Sequence, residues 1–193
     1  GMLKALGYRF LDSQHHELAQ GGKALAALAF IDSRAVNDKI ADISITVACD
    51  VTNPLCGKLG ASHVYAPQKG AMLDDIVILD NALNHFANIA RRQNFPDNRN
   101  EAGAGAAGGL GFALMTFLSA TLAGGFQLVS EFSNLEQMIQ QADLVITGEG
   151  KMDFQTSMGK VASGVLSLAK AVNVPVIAIC GAVSYTHLRA HET

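Results

Sequence analysis

The sequence lacks most of the features that mark specialised protein classes. It has no tryptophan, three cysteines without metal-ligand spacing, and a formal net charge of -3 with charged residues at only 16%. No cluster of basic residues that could bind nucleic acid is apparent. No run approaches the roughly 18 apolar residues of a membrane span, and no signal-peptide pattern is present at the start of the sequence. Hydrophobic residues make up 49%. This composition predicts a globular α/β core in a reducing, cytoplasmic compartment, without nucleic-acid or membrane partners.

A glycine-rich run, GAGAAGGLG at residues 103–111, precedes an apolar segment at 112–118. This pattern predicts a tight loop that leads into a helix and leaves backbone N–H groups open to an anion such as phosphate. The dinucleotide fingerprint GxGxxG also matches at Gly103, Gly105 and Gly108, but the preceding residues 95–101 indicate a polar loop instead of the required strand. Small residues that only allow close helix packing are the remaining interpretation.

A second pattern joins the short apolar run at residues 144–146 to Thr147, Gly148, Glu149, Gly150 and Asp153. A helical pattern at 161–172 and an apolar run at 174–180 follow, which predicts a parallel strand–helix–strand unit. Ligands gather beyond the carboxyl ends of parallel strands. Glu149 and Asp153 are therefore candidates for holding Mg²⁺ or orienting a hydroxyl, although glycines for a turn and acids for a first helical turn would look the same.

A third pattern ends a strand-like alternation, residues 43–49, at Asp50, and Asn53-Pro54 then predicts a turn. Asp50 is a candidate carboxylate at a strand end, or an acid that only accepts loop N–H bonds. Between residues 73 and 93, apolar positions three and four apart predict a covering helix with acids at its start and arginines at its end. A subdomain boundary is expected in the polar segment 95–101.

Four of these segments resemble the bacterial glycerate kinase family in the same order along the chain. They are ACDVTNPL at 48–55, PQKGA at 67–71, GAGAAGG at 103–109 and VITGEG at 145–150. The resemblance covers nearly everything from residue 1 to about 184. It implies an ATP-dependent kinase with two α/β domains that phosphorylates the 2-hydroxyl of D-glycerate to give 2-phosphoglycerate.

The resemblance also suggests a division of the chain. Family members resemble it only over their second half, and they carry DSYK and GGSATNDGG segments further upstream. The expected parts are a partial α/β segment at 1–95, a glycine loop with helices and the strand–helix–strand unit at 96–183, and a foreign, adaptor-like tail at 184–193. Without the missing N-terminal half of its parent, the chain is expected to be inactive and to associate into oligomers.

A kinase site needs anion-binding amides, magnesium ligands, a cation and a group that orients the attacking hydroxyl. The expected catalytic residues are Asp50, Glu149 and Asp153, with Asp50 and Glu149 as Mg²⁺ ligands and the order of their roles open. The expected substrate and phosphate contacts are Asn53, Lys69, Gly103, Gly105, Gly108, Gly109, Thr147, Gly148 and Gly150. The alternatives are a non-catalytic phosphate- or nucleotide-binding module and a fragment of an NAD-dependent dehydrogenase.

Overall fold

A computed structural model of the chain describes residues 1–152 and 161–183. The chain divides into two compact units, Gly1–Ala123 and Gly124–Thr193. Asp153 and the tail 184–193 lie outside the described residues. Each unit combines short strand pairs with covering helices, and two of the three strand pairs are parallel. The α/β class expected from the sequence is confirmed.

The first unit contains four helices, four strands and three 3-10 turns. They are α1 (Met2–Ala5), β1 (Arg9–Leu11), β2 (Phe30–Asp32), β3 (Thr46–Ala48), α2 (Ala61–Tyr65), α3 (Leu73–Arg92), α4 (Ala106–Leu118) and β4 (Thr121–Ala123), with 3-10 turns at Gly22–Ala27, Asp38–Asp42 and Pro67–Lys69. Strands β1 and β2 pair antiparallel, whereas β3 and β4 pair parallel with Val47 opposite Leu122. The parallel pair brings the ends of β3 and β4 to one edge.

Aromatic rings from α3 and α4 form the centre of the core of the first unit. Phe86 stacks on Phe117 at 5.7 Å between ring centroids and meets Phe112 edge-on at 5.5 Å. Tyr8 packs edge-on against Phe117, and its hydroxyl donates to the Phe117 carbonyl at 2.9 Å. Phe112 is fully buried. The apolar segment that follows the glycine run therefore anchors that run to the core.

Helix α3 matches the covering helix expected at residues 73–93. Asp74 and Asp75 lie in its first turn, and Arg91 and Arg92 in its last, where they complement the helix dipole. Its inward face buries Ile76, Phe86 and Ala90 among others. The 3.6-residue period of the apolar positions was thus a sufficient guide to this element.

The boundary expected within residues 95–101 falls inside the first unit. The Phe95 ring lies 4.7 Å from that of Phe117, and the Leu55 N–H donates to the Arg99 carbonyl at 2.8 Å. Proline, asparagine and charge cluster there because the segment is a surface connection. Its two ends nevertheless pack on the same core, and the division falls at 123/124 instead.

The second unit contains the strand–helix–strand motif that the sequence predicts. Its elements are α5 (Gly125–Phe132), α6 (Leu135–Gln140), β5 (Val145–Met152), α7 (Val161–Ala171) and β6 (Val176–Val183). Strands β5 and β6 are parallel, with Val145 opposite Val176 and Gly148 opposite Ile179. Val165 and Ala169 of α7 are buried in a small core with Ile139. The Ser133 hydroxyl donates to the Ser130 carbonyl at 3.3 Å, and α6 begins two residues later without a side-chain cap.

Candidate functional site

Asp50 follows the end of β3 at the edge where β3 and β4 both terminate. The Cys49 N–H donates to the Ala123 carbonyl at 2.8 Å, so the pairing with β4 continues one residue past β3. The Cys49 thiol then bonds the Val51 carbonyl at 3.4 Å. Asp50 lies between these two anchored residues and is exposed. The structure therefore places its carboxylate at a strand end in contact with solvent, as expected.

Asn53 joins three parts of the first unit. Its backbone carbonyl accepts from the Gly105 N–H at 2.9 Å. Its side-chain Nδ2 donates to the Leu59 carbonyl at 2.8 Å, and its Oδ1 accepts from the Tyr65 hydroxyl at 2.6 Å. Both ends of the amide are thus bonded within the protein. Through these bonds Asn53, a residue expected to contact substrate, also holds the glycine run against the turn before α2.

The glycine run adopts a backbone that side chains rarely allow. Gly103 has a φ of +87°, and three consecutive residues, Ala107, Gly108 and Gly109, have φ values of +50°, +79° and +102°. This left-handed corner, residues 107–109, interrupts the start of α4. Ala107 has a Cβ and adopts this conformation at a cost of about 1–2 kcal/mol. Strained backbone of this kind is concentrated at ligand sites and switches in proteins.

The glycines at the start of the run are closely packed. A Cβ on Gly105 would collide with the Pro54 carbonyl oxygen and lie 3.1 Å from the Asn53 oxygen. A Cβ on Gly103 would lie 2.7 Å from a Leu122 methyl and 2.9 Å from the Cys49 sulfur. Both positions are buried. Gly105 therefore allows contact between backbones, and Gly103 allows contact with the Leu122 and Cys49 side chains, which is the close-packing interpretation of the run.

Most backbone amides of the run already have partners. The N–H groups of Ala104, Gly105, Ala106 and Gly108 donate to carbonyls at 2.9–3.1 Å. These groups are not open to an anion, which differs from the expectation for Gly105 and Gly108. The Gly109 N–H lies 3.4 Å from its acceptor, a weak bond. Space next to Gly108 is open. Of these bonded amides, the one in the weakest bond thus lies at the left-handed corner, beside the open space at Gly108.

Lys69 ends the 3-10 turn Pro67–Lys69 that follows α2, and it is exposed. Gly70 closes this turn with a φ of +86°, so a glycine is required there. The Tyr65 hydroxyl ties α2 to Asn53. Helix α2 thus connects the PQKG turn, which follows it, to Asn53 in the segment after Asp50. The Lys69 side chain is exposed to solvent.

In the second unit, the residues of the TGEG pattern lie inside β5 instead of beyond its end. Thr147 pairs with Ala178, Gly148 with Ile179 and Glu149 with Cys180, and the pairing continues to Met152. A Cβ on Gly148 would lie 2.7 Å from the Ile179 carbonyl oxygen. The expectation that the strand stops before Thr147 is therefore wrong. The lack of a side chain at Gly148 allows β5 and β6 to approach closely. Strand pairing therefore overrides the turn propensity of the TGEG sequence.

A polar cluster around α3 was not found by sequence reasoning. The Asp80 carboxylate accepts the Gly57 N–H at 3.0 and 3.2 Å and lies 3.7 Å from His63 Nδ1. Burial and, secondly, the Asp80 charge raise the pKa of the Cys56 thiol to about 12. Arg99 donates to Asp97 and Asn84, each at 2.7 Å. These residues lie on separate segments, so no local pattern could have grouped them.

The described residues contain no preformed cluster of metal ligands and no helix that could span a membrane. Across 1–152 and 161–183, no group of three or more His, Cys, Asp or Glu side chains is arranged to hold a metal ion. In the same residues, no helix has the length and apolarity needed to span a bilayer. Mg²⁺ in phosphoryl-transfer enzymes is commonly held by one or two carboxylates together with substrate phosphates, and such a site needs no preformed cage. The exposed carboxylate of Asp50 fits this kind of donor set.

Comparison with known proteins gives the family. The sequence profile of the glycerate kinase family matches residues 1–193. The chain is 47% identical over 184 residues to a glycerate kinase of Bacillus subtilis, covering 95% of this chain and 48% of that protein. It is 46% identical over 184 residues to a glycerate 2-kinase of Escherichia coli, again covering 95% of this chain and 48% of the relative.

A solved structure gives the same result. The crystal structure of a putative glycerate kinase 2 from Salmonella typhimurium superposes with a TM-score of 0.86 at 46% identity. The match covers 95% of this chain and 51% of that one. The fold and the sequence thus define an α/β protein similar to one half of these relatives. The chain belongs to the glycerate kinase family, and it spans about half the length of the relatives it matches.

Proposed function

We propose that the full-length protein containing this chain transfers the γ-phosphoryl group of ATP to the 2-hydroxyl of D-glycerate, giving 2-phosphoglycerate and ADP. The observation that supports this most is the family match over residues 1–193, together with 46% identity to a glycerate 2-kinase. We also propose a cytoplasmic location, with the other half of the parent polypeptide as the required partner. No nucleic-acid or membrane partner is proposed.

Asp50 is the proposed proton acceptor for this reaction. In the transfer, the substrate hydroxyl oxygen forms a bond to the γ-phosphorus, the bond from that phosphorus to the β,γ-bridging oxygen breaks, and the hydroxyl proton passes to a carboxylate. An exposed carboxylate at the common end of β3 and β4 is accessible to a hydroxyl. Mg²⁺ would neutralise the negative charge on the phosphates, and Asp50 would hold it together with phosphate oxygens in the alternative where another carboxylate accepts the proton.

The phosphate contacts proposed in the first unit are the left-handed corner at residues 107–109 and the Lys69 ammonium. Space is open beside Gly108, and the Gly109 N–H has only a weak internal acceptor. Lys69 is exposed and can pair with a phosphate or with the glycerate carboxylate. Three further proposed contact residues lie next to these groups in the fold: Gly103, Gly105 and Asn53. The bond from the Gly105 N–H to the Asn53 carbonyl fixes the start of the glycine run.

The second unit contributes its own candidates to the proposal. Glu149 is the alternative carboxylate for holding Mg²⁺ or accepting the proton, and Thr147, Gly148 and Gly150 accompany it on β5. Asp153 follows directly in the sequence and lies outside the described residues. The two carboxylate roles can be separated by experiment, because loss of a metal ligand raises the Mg²⁺ requirement whereas loss of a base lowers turnover at saturating Mg²⁺.

The test compares the 193-residue chain with a full-length chimera that joins to it the unmatched half of the Bacillus subtilis relative. A coupled assay would follow 2-phosphoglycerate formation from ATP, Mg²⁺ and D-glycerate. We expect turnover by the chimera and none by the chain alone. Turnover by the chain at the rate of the chimera would show that the missing half is unnecessary, and ATP binding without turnover by the chimera would favour a binding module.

Single substitutions in the chimera test the residue roles. Asp50→Asn is expected to lower turnover about a hundredfold or more, the usual scale for an acid–base group. Asp42→Asn is the matched control, since Asp42 is also an exposed acid in the first unit. Glu149→Gln at varied Mg²⁺ then assigns the second carboxylate. An Asp50→Asn variant with unchanged kinetics and a normal melting curve would remove Asp50 from the site.

The dehydrogenase alternative receives no support from the structure. A dinucleotide fingerprint requires a strand directly before the first glycine. Residues 93–105, all of them described, form turns and irregular backbone without a strand. The glycine spacing at 103–108 is explained by close packing at Gly103 and Gly105.

A further inference from the structure

Asp80 of α3 is the acceptor at the centre of the polar cluster around that helix. Both of its carboxylate oxygens accept the Gly57 N–H, at 3.0 and 3.2 Å. Its side chain is 18% exposed, and His63 Nδ1 of α2 lies 3.7 Å away, which is too far for a hydrogen bond. In the described part of the chain, that buried His63 nitrogen has no hydrogen-bond partner. The carboxylate therefore serves a backbone amide of the loop before α2.

The amide that Asp80 holds begins a tight turn, residues 57–60, called the Gly57 turn. Gly57 has a φ of +87°, a conformation that favours glycine. The Gly60 N–H closes the turn by donating to the Gly57 carbonyl at 2.8 Å. A Cβ on Gly60 would collide with the Cys56 backbone. Because hydrogen bonds to a carboxylate are stronger than neutral ones, the bond to Asp80 fixes where this turn lies relative to α3.

The Gly57 turn is in turn bonded to the proposed site. Its Leu59 carbonyl accepts from Asn53 Nδ2 at 2.8 Å. The Asn53 backbone carbonyl accepts from the Gly105 N–H at 2.9 Å. A displacement of the turn therefore reaches Asn53, in the segment after Asp50, and the start of the glycine run.

Such a displacement matters more for catalysis than for stability. Residues 57–59 are exposed, so moving them uncovers little of the core. Phosphoryl transfer depends mainly on positioning, and a misplacement of about 1 Å can lower turnover by about a hundredfold. Loss of the Asp80 carboxylate should thus disturb the site while the first unit stays folded.

We propose that Asp80 is a positioning residue: through the Gly57 N–H it holds the turn that fixes Asn53 and the glycine run, and so it sets the geometry of the phosphoryl-transfer site. The effect on catalysis rests on the proposed kinase function. The coupling from Asp80 to residues 103–109 does not, because it follows from the hydrogen bonds alone. The two parts are therefore tested by separate measurements.

Amide hydrogen exchange of the 193-residue chain, followed by peptide mass spectrometry, tests the coupling. Asp80→Ala removes the acceptor, and Asp80→Asn keeps an oxygen for the Gly57 N–H. Asp74→Ala is the matched control, since Asp74 is an exposed acid on the same helix. We expect exchange at 53–60 and 103–109 to be at least about fivefold faster in Asp80→Ala and within about twofold of the parent chain in the other two variants. Exchange at 84–92 of α3 should stay within about twofold in all three.

Three exchange results would overturn the proposal. Unchanged exchange at 103–109 in Asp80→Ala would show that the Gly57 turn is not coupled to the glycine run. Equal acceleration at 84–92 would mean that Asp80 stabilises the whole unit instead of positioning one turn. Acceleration in Asp80→Asn as large as in Asp80→Ala would show that the acceptor oxygen is not the feature that matters.

Turnover of the full-length chimera tests the effect on catalysis, with kcat and KM for ATP and D-glycerate measured well below the melting temperature of each variant. We expect Asp80→Ala to lower kcat by about 30- to 100-fold with both KM values within about threefold of the parent. Asp80→Asn should recover kcat to within about fivefold of the parent, and Asp74→Ala should change it by less than about twofold.

A kcat for Asp80→Ala as high as that of the Asp74→Ala control would contradict the proposal. A raised KM at unchanged kcat would contradict it as well, because the lost interaction would then serve binding and not the geometry of the reaction. A parent chimera without turnover would overturn the proposed kinase reaction and the catalytic effect of Asp80 together, and hydrogen exchange would still decide the coupling between Asp80 and the glycine run.

Discussion

Gly105→Ala is the substitution that best tests the packing of the glycine run. Gly105 has φ −78° and ψ −7°, which alanine adopts readily, so the backbone conformation itself imposes no penalty. The added Cβ would collide with the Pro54 carbonyl oxygen and lie 3.1 Å from the Asn53 oxygen and 3.2 Å from the Ala61 nitrogen. All three are backbone atoms, which cannot rotate away as a side chain can. Relief requires a shift of the 53–55 segment.

The magnitude follows from two costs. Overpacking of this kind costs about 1–3 kcal/mol. Shifting the 53–55 segment also weakens the bond from the Gly105 N–H to Asn53, which is worth about 1 kcal/mol. Together they amount to about 2–4 kcal/mol, of which the reduced entropy of the unfolded chain offsets about 0.4–1 kcal/mol, leaving about 1–3.5 kcal/mol. At about 2–4 °C per kcal/mol the melting temperature should fall by about 2–14 °C.

Gly108→Ala is the matched control, because its cost comes from the backbone conformation and not from contact with neighbouring atoms. Nothing lies within 4 Å of a Cβ at this position, but φ is +79°. The left-handed conformation costs about 1–2 kcal/mol for alanine, and the reduced entropy of the unfolded chain offsets about 0.4–1 kcal/mol of it. The net loss is about 1 kcal/mol or less, and the melting temperature should fall by less than about 5 °C.

Thermal unfolding of the 193-residue chain, followed by far-ultraviolet circular dichroism, measures both variants. The expected order is a large loss for Gly105→Ala and a small one for Gly108→Ala. A Gly105→Ala variant that melts within about 1 °C of the parent chain, or a Gly108→Ala variant that is the less stable of the two, would refute the assignment of close packing to position 105.

Three further predictions concern the same unit. Tyr65→Phe removes the 2.6 Å bond to Asn53 and should lower the free energy of unfolding in urea by about 1 kcal/mol, and an unchanged value would show that this bond contributes nothing. The hydrogen bond from Arg99 lowers the pKa of Asp97 below its ordinary 3.8. The resulting stability is complete above that ordinary value and is lost as pH falls through the lowered one, so Asp97→Asn should flatten the fall of the urea midpoint between about pH 4 and pH 2. Because the pKa of the Cys56 thiol is about 12, roughly one thiol in ten thousand is ionised at about pH 8, and iodoacetamide should modify Cys56 more than a hundredfold more slowly than a free cysteine. Comparable rates would contradict its burial.

The elements that the sequence predicted correctly carry their information locally. Helix α3 has a long apolar period and charges that fit both ends of the helix dipole. The strand–helix–strand unit alternates two apolar runs with a helical pattern, and parallel pairing follows from the length of the crossover. For α3 the neighbours that decide the structure lie within a few residues, and for the strand–helix–strand unit the paired strands lie about thirty residues apart, joined by a single helix.

The elements that were missed depend on distant partners. Strands β2 and β4 have three residues each, and β4 pairs with β3, which lies more than seventy residues earlier. The TGEG pattern has the composition of a turn, yet pairing with β6 extends the strand through it. The propensities of neighbouring residues contain no information on the pairing of Gly148 with Ile179. The end of β5 was therefore predicted too early in the sequence.

The candidate site shows the same limit. Asp50 was placed correctly at a strand end, because an acid after an alternating run is a local pattern. The three bonds of Asn53 reach Gly105, Leu59 and Tyr65, and only the folded chain brings these together. A pattern of residue types could suggest a polar contact for Asn53 but could not show that the contact is internal.

The glycine run has two parts with different physical roles, and this division locates the proposed phosphate contact. At 105, neighbouring backbone atoms leave no room for a Cβ, and the N–H of Gly105 is already bonded to Asn53. At 108 and 109, positive φ favours glycine, and space is open at Gly108. Ala107 adopts the same left-handed conformation without the freedom of glycine, at a cost that the fold must offset elsewhere. A packing role alone would not need this strain at an exposed corner, which supports the proposed phosphate contact at residues 107–109.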